Sequence, residues 1–345
     1  MTEIKRIALD TSKAVFTVHA VDQASQPVIR RDVRRAGLLE FFAKQPPTEV
    51  VMEACGGSHH WAREISALGH TVKLIPAQYV KPFVKRGKND RNDAEAICEA
   101  AGRPNMSFVP VKSAQRQAEL MVLRTRALLV GQRTQLVNAL RGNATEFGVV
   151  AGKGIEKVDK LLQMIATDTT IPPVARRTLA MLGEEIARYD ERLGAIDADL
   201  ISQHKANPVS VALAKIPGVG PITALTLVSE IEPAHFRSGR HLAAWIGLTP
   251  KERSTGGRQI MGGISRAGNE RLRSLLVVGA TAVIQHAKPG SKTASAWLLK
   301  LLERRPRKVA AVALANKMAR IAWAMMSTGE AYRGVSQTGR LSQTA

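Results

Sequence analysis

Four carboxylates stand where they could bind divalent metal ions together. Asp10 and Glu53 each follow a short apolar run typical of a buried strand, and Asp90 and Asp93 open a predicted helix. Carboxylates at strand ends can meet at one edge of a mixed sheet, and a spacing of three residues places two of them on one helix face. Two metal ions about 3.5 to 4 Å apart can hold the attacking and leaving oxygens of a phosphodiester. Oxygen ligands favour Mg²⁺ or Mn²⁺, so the pattern predicts a site for one of these ions.

Structural roles are the alternative for each carboxylate taken alone. Asp93 could cap a helix that begins near Ala94, and Asp10 could be a turn residue. The four acids together, in a basic chain, favour metal binding. Basic residues around the predicted helix start are placed to bind phosphates, although a run of charges is also common in a solvated loop. These residues are Lys85, Arg86, Lys88 and Arg91.

A serine in a glycine-rich segment is the candidate nucleophile. Ser254 lies between Arg253 and Arg258, in the sequence Arg-Ser-Thr-Gly-Gly-Arg. Its hydroxyl could attack a phosphate, and the two cations could bind that phosphate and stabilise the developing pentavalent charge. An ordinary flexible loop is the alternative. Three further arginines are predicted to face DNA around the start of the next helix: Arg266, Arg271 and Arg273.

The segment 216–224 reads Ile-Pro-Gly-Val-Gly-Pro-Ile-Thr-Ala and precedes an apolar helix. It resembles the hairpin of a helix-hairpin-helix motif, in which a glycine turn presents backbone N–H groups at a helix N-terminus to a DNA phosphate. Gly218 and Gly220 are therefore predicted to contact DNA. An ordinary Pro-Gly connector between helices is the alternative.

The net charge indicates a polyanionic partner. Lys and Arg total 50 against 29 Asp and Glu, which leaves +21 at pH 7. The basic residues recur along the whole chain, so nucleic acid is favoured over a surface that is charged only for solubility. The two cysteines, Cys55 and Cys98, lack paired-ligand spacing, which argues against structural zinc and a disulfide scaffold.

The chain also lacks the patterns of export and membrane insertion. Its N-terminus has no apolar run of the kind found in signal peptides, and no stretch of about twenty apolar residues could cross a bilayer. We therefore expect a cytoplasmic protein with no membrane partner.

The elements that must position these residues begin with an α/β domain over 1–110. A chain of 345 residues can form two or three domains. Strands followed by alternating helix and strand predict a mixed sheet with helices. The predicted strands are 4–9, 14–20, 27–33, 50–52 and 71–75, and the predicted helices are 58–68 and 94–101.

Long helices are predicted to follow this domain. Apolar residues recur at spacings of three to four over 113–145 and 172–203, which indicates a helical hairpin or coiled coil joined by a less regular connector, 148–170. An amphipathic helix is predicted over 308–326. The predicted parts are a helical or coiled-coil linker (111–207), a mainly helical C-terminal domain (208–330) and a flexible tail (331–345).

Together these motifs resemble the DEDD transposases of the insertion-sequence one-ten (IS110) family, the bridge-RNA-guided recombinases. The resemblance covers nearly the whole chain and rests on the order of the four acids and on the box Lys-Asn-Asp-Arg-Asn-Asp-Ala at 88–94. It also rests on Pro-Gly-Val-Gly-Pro at 217–221 and on the glycine- and arginine-rich series over 247–273. The implied fold is a ribonuclease-H-like, Holliday-junction-resolvase-like domain, a coiled-coil linker and a mainly helical transposase domain.

The resemblance also implies a reaction. Asp10, Glu53, Asp90 and Asp93 would bind Mg²⁺, and Ser254 would attack DNA to give a phosphoserine intermediate that allows strand exchange. Close relatives often have a second serine where this chain has Thr255, which favours Ser254 but leaves the register open. A noncoding bridge RNA would pair with double-stranded donor and target DNA, and the protein would act as a homodimer or homotetramer.

Two other functions remain open at this point. In a metal-dependent, structure-specific DNA nuclease the carboxylates alone would hydrolyse DNA, and Ser254 would be a loop residue. In a non-catalytic nucleic-acid-binding protein the acids would be structural, and the hairpin and basic surface would bind.

Overall fold

The computed structural model describes residues 3–85, 87, 89–289, 291 and 294–333. It divides the chain into two compact units, Met1–Ala118 and Glu119–Ala345. The predicted flexible tail, apart from 331–333, lies outside the described residues.

A five-stranded mixed sheet forms the centre of the first unit. The strand order is β3-β2-β1-β4-β5, with β1, β2 and β3 antiparallel and β1, β4 and β5 parallel. Each strand predicted from the sequence is found, which confirms a mixed α/β N-terminal part. The strands are β1 (Ile4–Asp10), β2 (Val15–Asp22), β3 (Pro27–Arg34), β4 (Glu49–Glu53) and β5 (Thr71–Ile75).

Helices cover both faces of this sheet. They are α1 (Leu38–Ala43), α2 (Ser58–Ala67), α3 (Ala77–Val80) and α4 (Asp90–Ala101). Successive side chains of a strand point to opposite faces, so Ile7 of β1 packs with Phe42 of α1 and Ile65 of α2. The neighbouring Ala8 packs with Ile97 of α4 on the other face. The sheet is therefore buried on both faces. Residues at its edges and strand ends remain in a position to contact a ligand.

Two long helices, α5 (Ala114–Thr145) and α7 (Pro173–Ala206), match the two predicted from apolar spacing. Two ion pairs show that they run antiparallel. Arg126 of α5 pairs with Asp197 of α7, and Arg133, further along α5, pairs with Asp190, which comes earlier in α7. The predicted irregular connector contains a further helix, α6 (Val158–Thr167), whose buried residues pack against α7.

The remainder of the second unit is mainly helical, as predicted. Its core lies between the last helices, where Leu276 and Ala280 pack with Ala315 and Met318. A small antiparallel hairpin, which the sequence analysis did not predict, interrupts the helices. The elements are α8 (Pro208–Leu213), α9 (Pro221–Glu230), α10 (Gly239–Trp245), β6 (Pro250–Glu252), β7 (Met261–Ile264), α11 (Glu270–Gln285), α12 (Ala296–Arg304) and α13 (Arg307–Thr328).

Helix α13 is long and apolar enough, by length and composition, to cross a membrane. A core helix passes the same test, and α13 contributes a row of buried residues to the second unit's core. It also carries basic residues that include Lys308, Lys317 and Arg320.

Candidate active site

Asp10 and Glu53 end two neighbouring strands, β1 and β4. The strands are parallel, and the residues immediately before the two acids are paired in register. Both acids therefore leave the sheet at the same edge. The ends are also joined beyond the sheet, because Thr11 Oγ1 and Cys55 Sγ lie 3.0 Å apart.

Helix α4 carries the other two predicted acids, Asp90 and Asp93. Asn89 is its N-cap, and the Asn89 side chain accepts a hydrogen bond of 2.8 Å from the backbone N–H of Asn92. Asp93 is thus not the cap, which was one alternative from the sequence. Asp90 and Asp93 lie in the first turn, and the positive end of the helix dipole favours their charged forms there.

Three of the four predicted acids converge. Carboxylate oxygens of Asp10, Asp90 and Asp93 all lie within 4.8 Å of one another. Two oxygens on opposite sides of Mg²⁺ are about 4.2 Å apart, since each lies about 2.1 Å from the ion. The three acids are therefore close enough to share one ion with little movement.

The charges of this cluster oppose one another. Burial, followed by repulsion from Asp93 and Asp90, raises the pKa of Asp10 to about 6. A hydrogen bond from the Thr11 backbone partly offsets this rise, and Glu53 adds a smaller repulsion. A divalent cation would relieve the repulsion, so both the donor set and its electrostatics fit a metal ion.

Glu53 lies outside the group of three but interacts with it. Burial raises the pKa of Glu53, and repulsion from Asp93 raises it further. Among the described residues, the acids whose ligand atoms fall within 4.8 Å of one another are Asp10, Asp90 and Asp93, without Glu53. The fourth acid therefore lies within electrostatic reach of the cluster.

Ser254 lies near the tip of the β6–β7 hairpin, in the second unit. The backbones of Thr255 and Arg258 hydrogen-bond to each other across two glycines, with N–H to O distances of 3.2 and 3.0 Å. Gly256 and Gly257 have φ of +55° and +79°, which is the geometry of a type I′ turn and favours glycine at both positions. The segment considered as a flexible loop is therefore a tight hairpin.

The Ser254 hydroxyl is exposed and has an acidic partner. Its Oγ donates a hydrogen bond of 2.8 Å to Oε1 of Glu252 and accepts one of 3.4 Å from the Ile260 backbone. Arg253 and Arg258 on either side are also exposed. A hydroxyl bonded to a carboxylate beside two cations is suited to attack a phosphate.

The base of the hairpin is held by a buried arginine. Arg273 is 9% exposed, and its Nη1 donates to the carbonyl oxygens of Ile246 and Ala267, both at 2.8 Å. The prediction that Arg273 faces DNA is therefore wrong for this structure, because these carbonyls occupy its guanidinium. Arg271 is half-buried and donates to Thr226 Oγ1 at 3.4 Å, whereas Arg266 is exposed.

The predicted phosphate-binding residues near α4 differ in their contacts. Lys85 is exposed but pairs with Glu95, with Nζ and Oε1 2.8 Å apart. Arg91 is exposed and lines a cavity of about 210 Å³ with Arg30 and Arg31. The other two predicted residues lie outside the described residues: Arg86 and Lys88.

The two glycines between α8 and α9, Gly218 and Gly220, differ in the space available for a side chain. Gly218 has φ of +87°, and a Cβ there would lie 2.7 Å from the carbonyl oxygen of Gly279. Gly220 is the exposed N-cap of α9 and has open space where a Cβ would be. Gly218 thus serves a close approach to α11, and Gly220 leaves the α9 N-terminus open to solvent.

Two family models match this chain. The model for the transposase IS116/IS110/IS902 family covers residues 210–296, and a model for the DEDD transposases of IS110 covers residues 7–148. Among relatives, the “Putative transposase y4pF/y4sB” of Sinorhizobium fredii is 52% identical over 341 residues, which span 97% of this chain and 88% of that protein. The transposase for insertion sequence element IS1111A of Coxiella burnetii is 39% identical over 96% of this chain and 92% of its own length. The chain belongs to the IS110 family of insertion-sequence transposases.

This IS110-family transposase carries both groups of candidate residues inside the matched segments. A “Probable family 20 transposase” of Pseudomonas aeruginosa is 44% identical over 96% of this chain and 99% of its own length. The chain is thus a DNA transposase, and DNA is its substrate.

Sequence reasoning missed two features of this transposase. Glu252 was not considered, although it lies two residues before Ser254, a spacing that places both side chains on one face of a strand. A groove beside the hairpin was also missed, because its lining comes from elements far apart in the chain.

Proposed function

We propose that this transposase cuts and rejoins DNA strands through a phosphoserine intermediate on Ser254, with Mg²⁺ or Mn²⁺ held by Asp10, Glu53, Asp90 and Asp93. The observation that carries the proposal is the convergence of three of these acids within 4.8 Å. A divalent ion bound there would supply charge to polarise the scissile phosphate. The raised pKa of Asp10 supports a cluster that gains stability when a cation binds.

Ser254 is the attacking group in this mechanism. As its Oγ bonds to phosphorus, one bridging P–O bond of the DNA breaks, and the released deoxyribose hydroxyl takes up a proton. The phosphoserine ester keeps the energy of the broken bond, so a DNA hydroxyl can reverse the step and rejoin strands without ATP. Exposure of Ser254 on a hairpin tip supports its access to DNA.

Glu252 is placed to receive the Ser254 proton. The 2.8 Å hydrogen bond between them is within the reach of a general base. Arg253 and Arg258 would bind the phosphate and stabilise its developing charge. Basic residues elsewhere would bind the DNA backbone, namely Lys85, Arg86, Lys88, Arg91 and Arg266. The turn through Gly218 and Gly220 would present the backbone N–H groups in the first turn of α9 to a phosphate.

The wider assembly that we propose is the one that the family resemblance implies. A noncoding bridge RNA would pair with donor and target DNA, and a homodimer or homotetramer would form, with the long helices α5 and α7 as its contact. The net charge of +21 supports binding to nucleic acid. We assign the first unit to the ribonuclease-H-like folds on its strand order β3-β2-β1-β4-β5, and we place the protein in the cytoplasm.

A denaturing gel tests the mechanism. The protein is incubated with Mg²⁺, RNA transcribed from the flanks of its element and end-labelled junction DNA. A covalent protein–DNA band is expected for wild type and for Thr255→Ala, and none for Ser254→Ala with DNA binding retained. A band that persists in Ser254→Ala and is lost in Thr255→Ala would move the nucleophile to Thr255.

The same gel separates the rival functions. Cleaved DNA without a covalent band, equal in wild type and Ser254→Ala, would favour a metal-dependent nuclease. Asp10→Ala distinguishes a non-catalytic binding protein, because loss of reaction with DNA binding retained excludes that function.

A further inference from the structure

A large groove lies beside the hairpin that carries Ser254. It has a volume of about 1350 Å³ and is formed within the second unit by α10, α12, α13 and both hairpin strands. Pro250 of β6 and Gly263 of β7 line it. A Cβ at Gly263 would meet nothing within 4 Å, so the groove is open beside this residue. The groove therefore leads directly to the strands that hold the proposed nucleophile.

The charged residues of the groove are all cationic. Among the described residues that line it, none is acidic. Cations that face one another without acids favour an anionic ligand with several charges. The basic residues are Arg240, Arg266, Lys308, Lys317 and Arg320.

The floor of the groove is apolar and aromatic. Leu248, Val312 and Ile321 contribute aliphatic surface, and Trp297 and Trp323 contribute indole rings. Trp297 is 37% exposed, which leaves part of a large flat ring accessible. Flat apolar rings are the surfaces on which unpaired bases stack.

The combination of cationic residues and an apolar floor favours single-stranded over double-stranded nucleic acid. A duplex offers phosphates to its surroundings but keeps its bases stacked inside, so it would use the rim and leave the apolar floor empty. A single strand offers phosphates and base faces together. Lys317 Nζ lies over the Trp297 ring, 4.5 Å from its centroid. A cation for phosphate therefore covers one face of this ring, and a base would contact the exposed part of the ring that Lys317 leaves uncovered.

We propose that this groove binds single-stranded nucleic acid, with phosphates on its cationic rim and bases on its apolar floor, in a strand that runs along β7 to the Ser254 hairpin. Only one part of this proposal, that the bound strand leads to the Ser254 hairpin, rests on the proposed function. Binding to the groove does not require the Ser254 hydroxyl, so Ser254→Ala should bind like wild type. The binding readout thus separates failure of the groove from failure of the phosphoserine mechanism.

Charge reversal on the rim is the first test. Lys308→Glu with Arg320→Glu is compared with Arg304→Glu with Arg305→Glu, a pair at the end of α12 that does not line the groove and changes the net charge equally. Fluorescence anisotropy measures affinity for labelled twenty-nucleotide oligo(dT), oligo(U) and a blunt duplex. The groove pair should weaken single-strand binding about ten-fold more than the control, and should lower the slope of log affinity against log salt by about 1.4. Preference for DNA or RNA in wild type then identifies the strand.

Substitution of Trp297 provides a second, independent test of the proposal. Trp297→Ala should weaken single-strand binding about five-fold or more and leave duplex binding unchanged, and Trp297→Phe should restore most of the loss. Equal weakening by the two charge pairs, or equal losses for single strand and duplex in Trp297→Ala, would overturn the proposal.

Discussion

The Oγ of Ser254 donates a 2.8 Å hydrogen bond to Oε1 of Glu252, two residues earlier on the same hairpin. Both side chains are exposed, and the type I′ turn beyond them keeps the hairpin tip tight. A carboxylate in this position can orient the hydroxyl and accept its proton as the Oγ–P bond forms.

Glu252→Gln should therefore slow formation of the covalent intermediate. The amide can still accept the hydrogen bond but is a far weaker base, so we expect a fall of about 100-fold. Single-turnover accumulation of the protein–DNA band checks this.

Glu270→Gln is the matched control for this prediction, since Glu270 is an exposed acid on α11. It should leave the rate unchanged. A Glu252→Gln protein that forms the covalent band at the rate of wild type would remove Glu252 from the mechanism.

Asp10→Asn should stabilise the metal-free protein at neutral pH. The pKa of Asp10 is raised from 3.8 to about 6, so the folded state binds this proton more tightly than the unfolded state. Its contribution to stability is full below about pH 4 and is lost as pH rises through about 6. Because the group is partly solvated, we discount the shift and expect a gain of about 1 to 2 kcal/mol at pH 7.5.

Thermal unfolding in EDTA between pH 4.5 and 8 measures this effect. Wild type should lose stability relative to Asp10→Asn as the pH rises from 4.5, and the difference should level off once the pH has passed the pKa of about 6. Asp159→Asn, which alters an exposed acid of α6, should follow wild type. A constant difference across the pH range would mean that Asp10 is not the group that titrates.

Mg²⁺ should raise the unfolding temperature of the wild type by binding to the same acids. At a concentration 100-fold above the dissociation constant, the ion adds about 2.7 kcal/mol of stability. The rise should vanish in Asp10→Asn and Asp93→Asn and should shrink in Glu53→Gln, since Glu53 lies outside the group of three. Protons compete with the ion, so the rise should also weaken below about pH 6. Calorimetry with and without Mg²⁺ provides the measurement, and an undiminished rise in Asp10→Asn would place the ion elsewhere.

Gly218→Ala and Gly220→Ala should differ sharply in stability. Alanine at Gly218 needs a φ of +87° and places its Cβ 2.7 Å from the carbonyl oxygen of Gly279. We expect a loss of about 2 to 4 kcal/mol in the free energy of unfolding. Gly220 has open space and an extended backbone, so its variant should unfold within about 0.5 kcal/mol of wild type. Urea titrations compare the two, and equal midpoints would contradict the close approach of α11.

The parts of the fold that the sequence predicted are those with strong apolar patterns. Alternating or continuous apolar runs marked the five strands, and spacings of three to four marked α5 and α7. The apolar positions of α6, Val158, Leu161 and Ile165, follow the same spacing, so this helix was recognisable. It is short and follows a glycine-rich segment, 148–154, which masked it. The β6–β7 hairpin left little pattern, because nearly all its residues are exposed.

The site was predictable to the extent that residue type determines position. Acids after buried strands reach one sheet edge through strand register, which the sequence implies. Burial of Arg273 could not be predicted, since arginine is usually exposed and one of its carbonyl acceptors, Ile246, lies 27 residues before it in sequence. The convergence of α10, α12 and α13 on one groove depends likewise on tertiary contacts that no local pattern reports.

Arg273 and Arg266 should therefore respond in opposite ways to substitution. Arg273→Met removes two hydrogen bonds of a buried guanidinium and leaves the carbonyls of Ile246 and Ala267 without this donor, so we expect a loss of about 2 to 4 kcal/mol in unfolding free energy. Its effect on DNA affinity should not depend on salt. Arg266→Gln should keep the stability of wild type and lower the salt slope of duplex binding by about 0.9, because one phosphate is no longer neutralised. Urea unfolding and anisotropy at about 50 to 200 mM salt separate the two roles; a reduced salt slope in Arg273→Met, with stability unchanged, would return Arg273 to the DNA-binding surface.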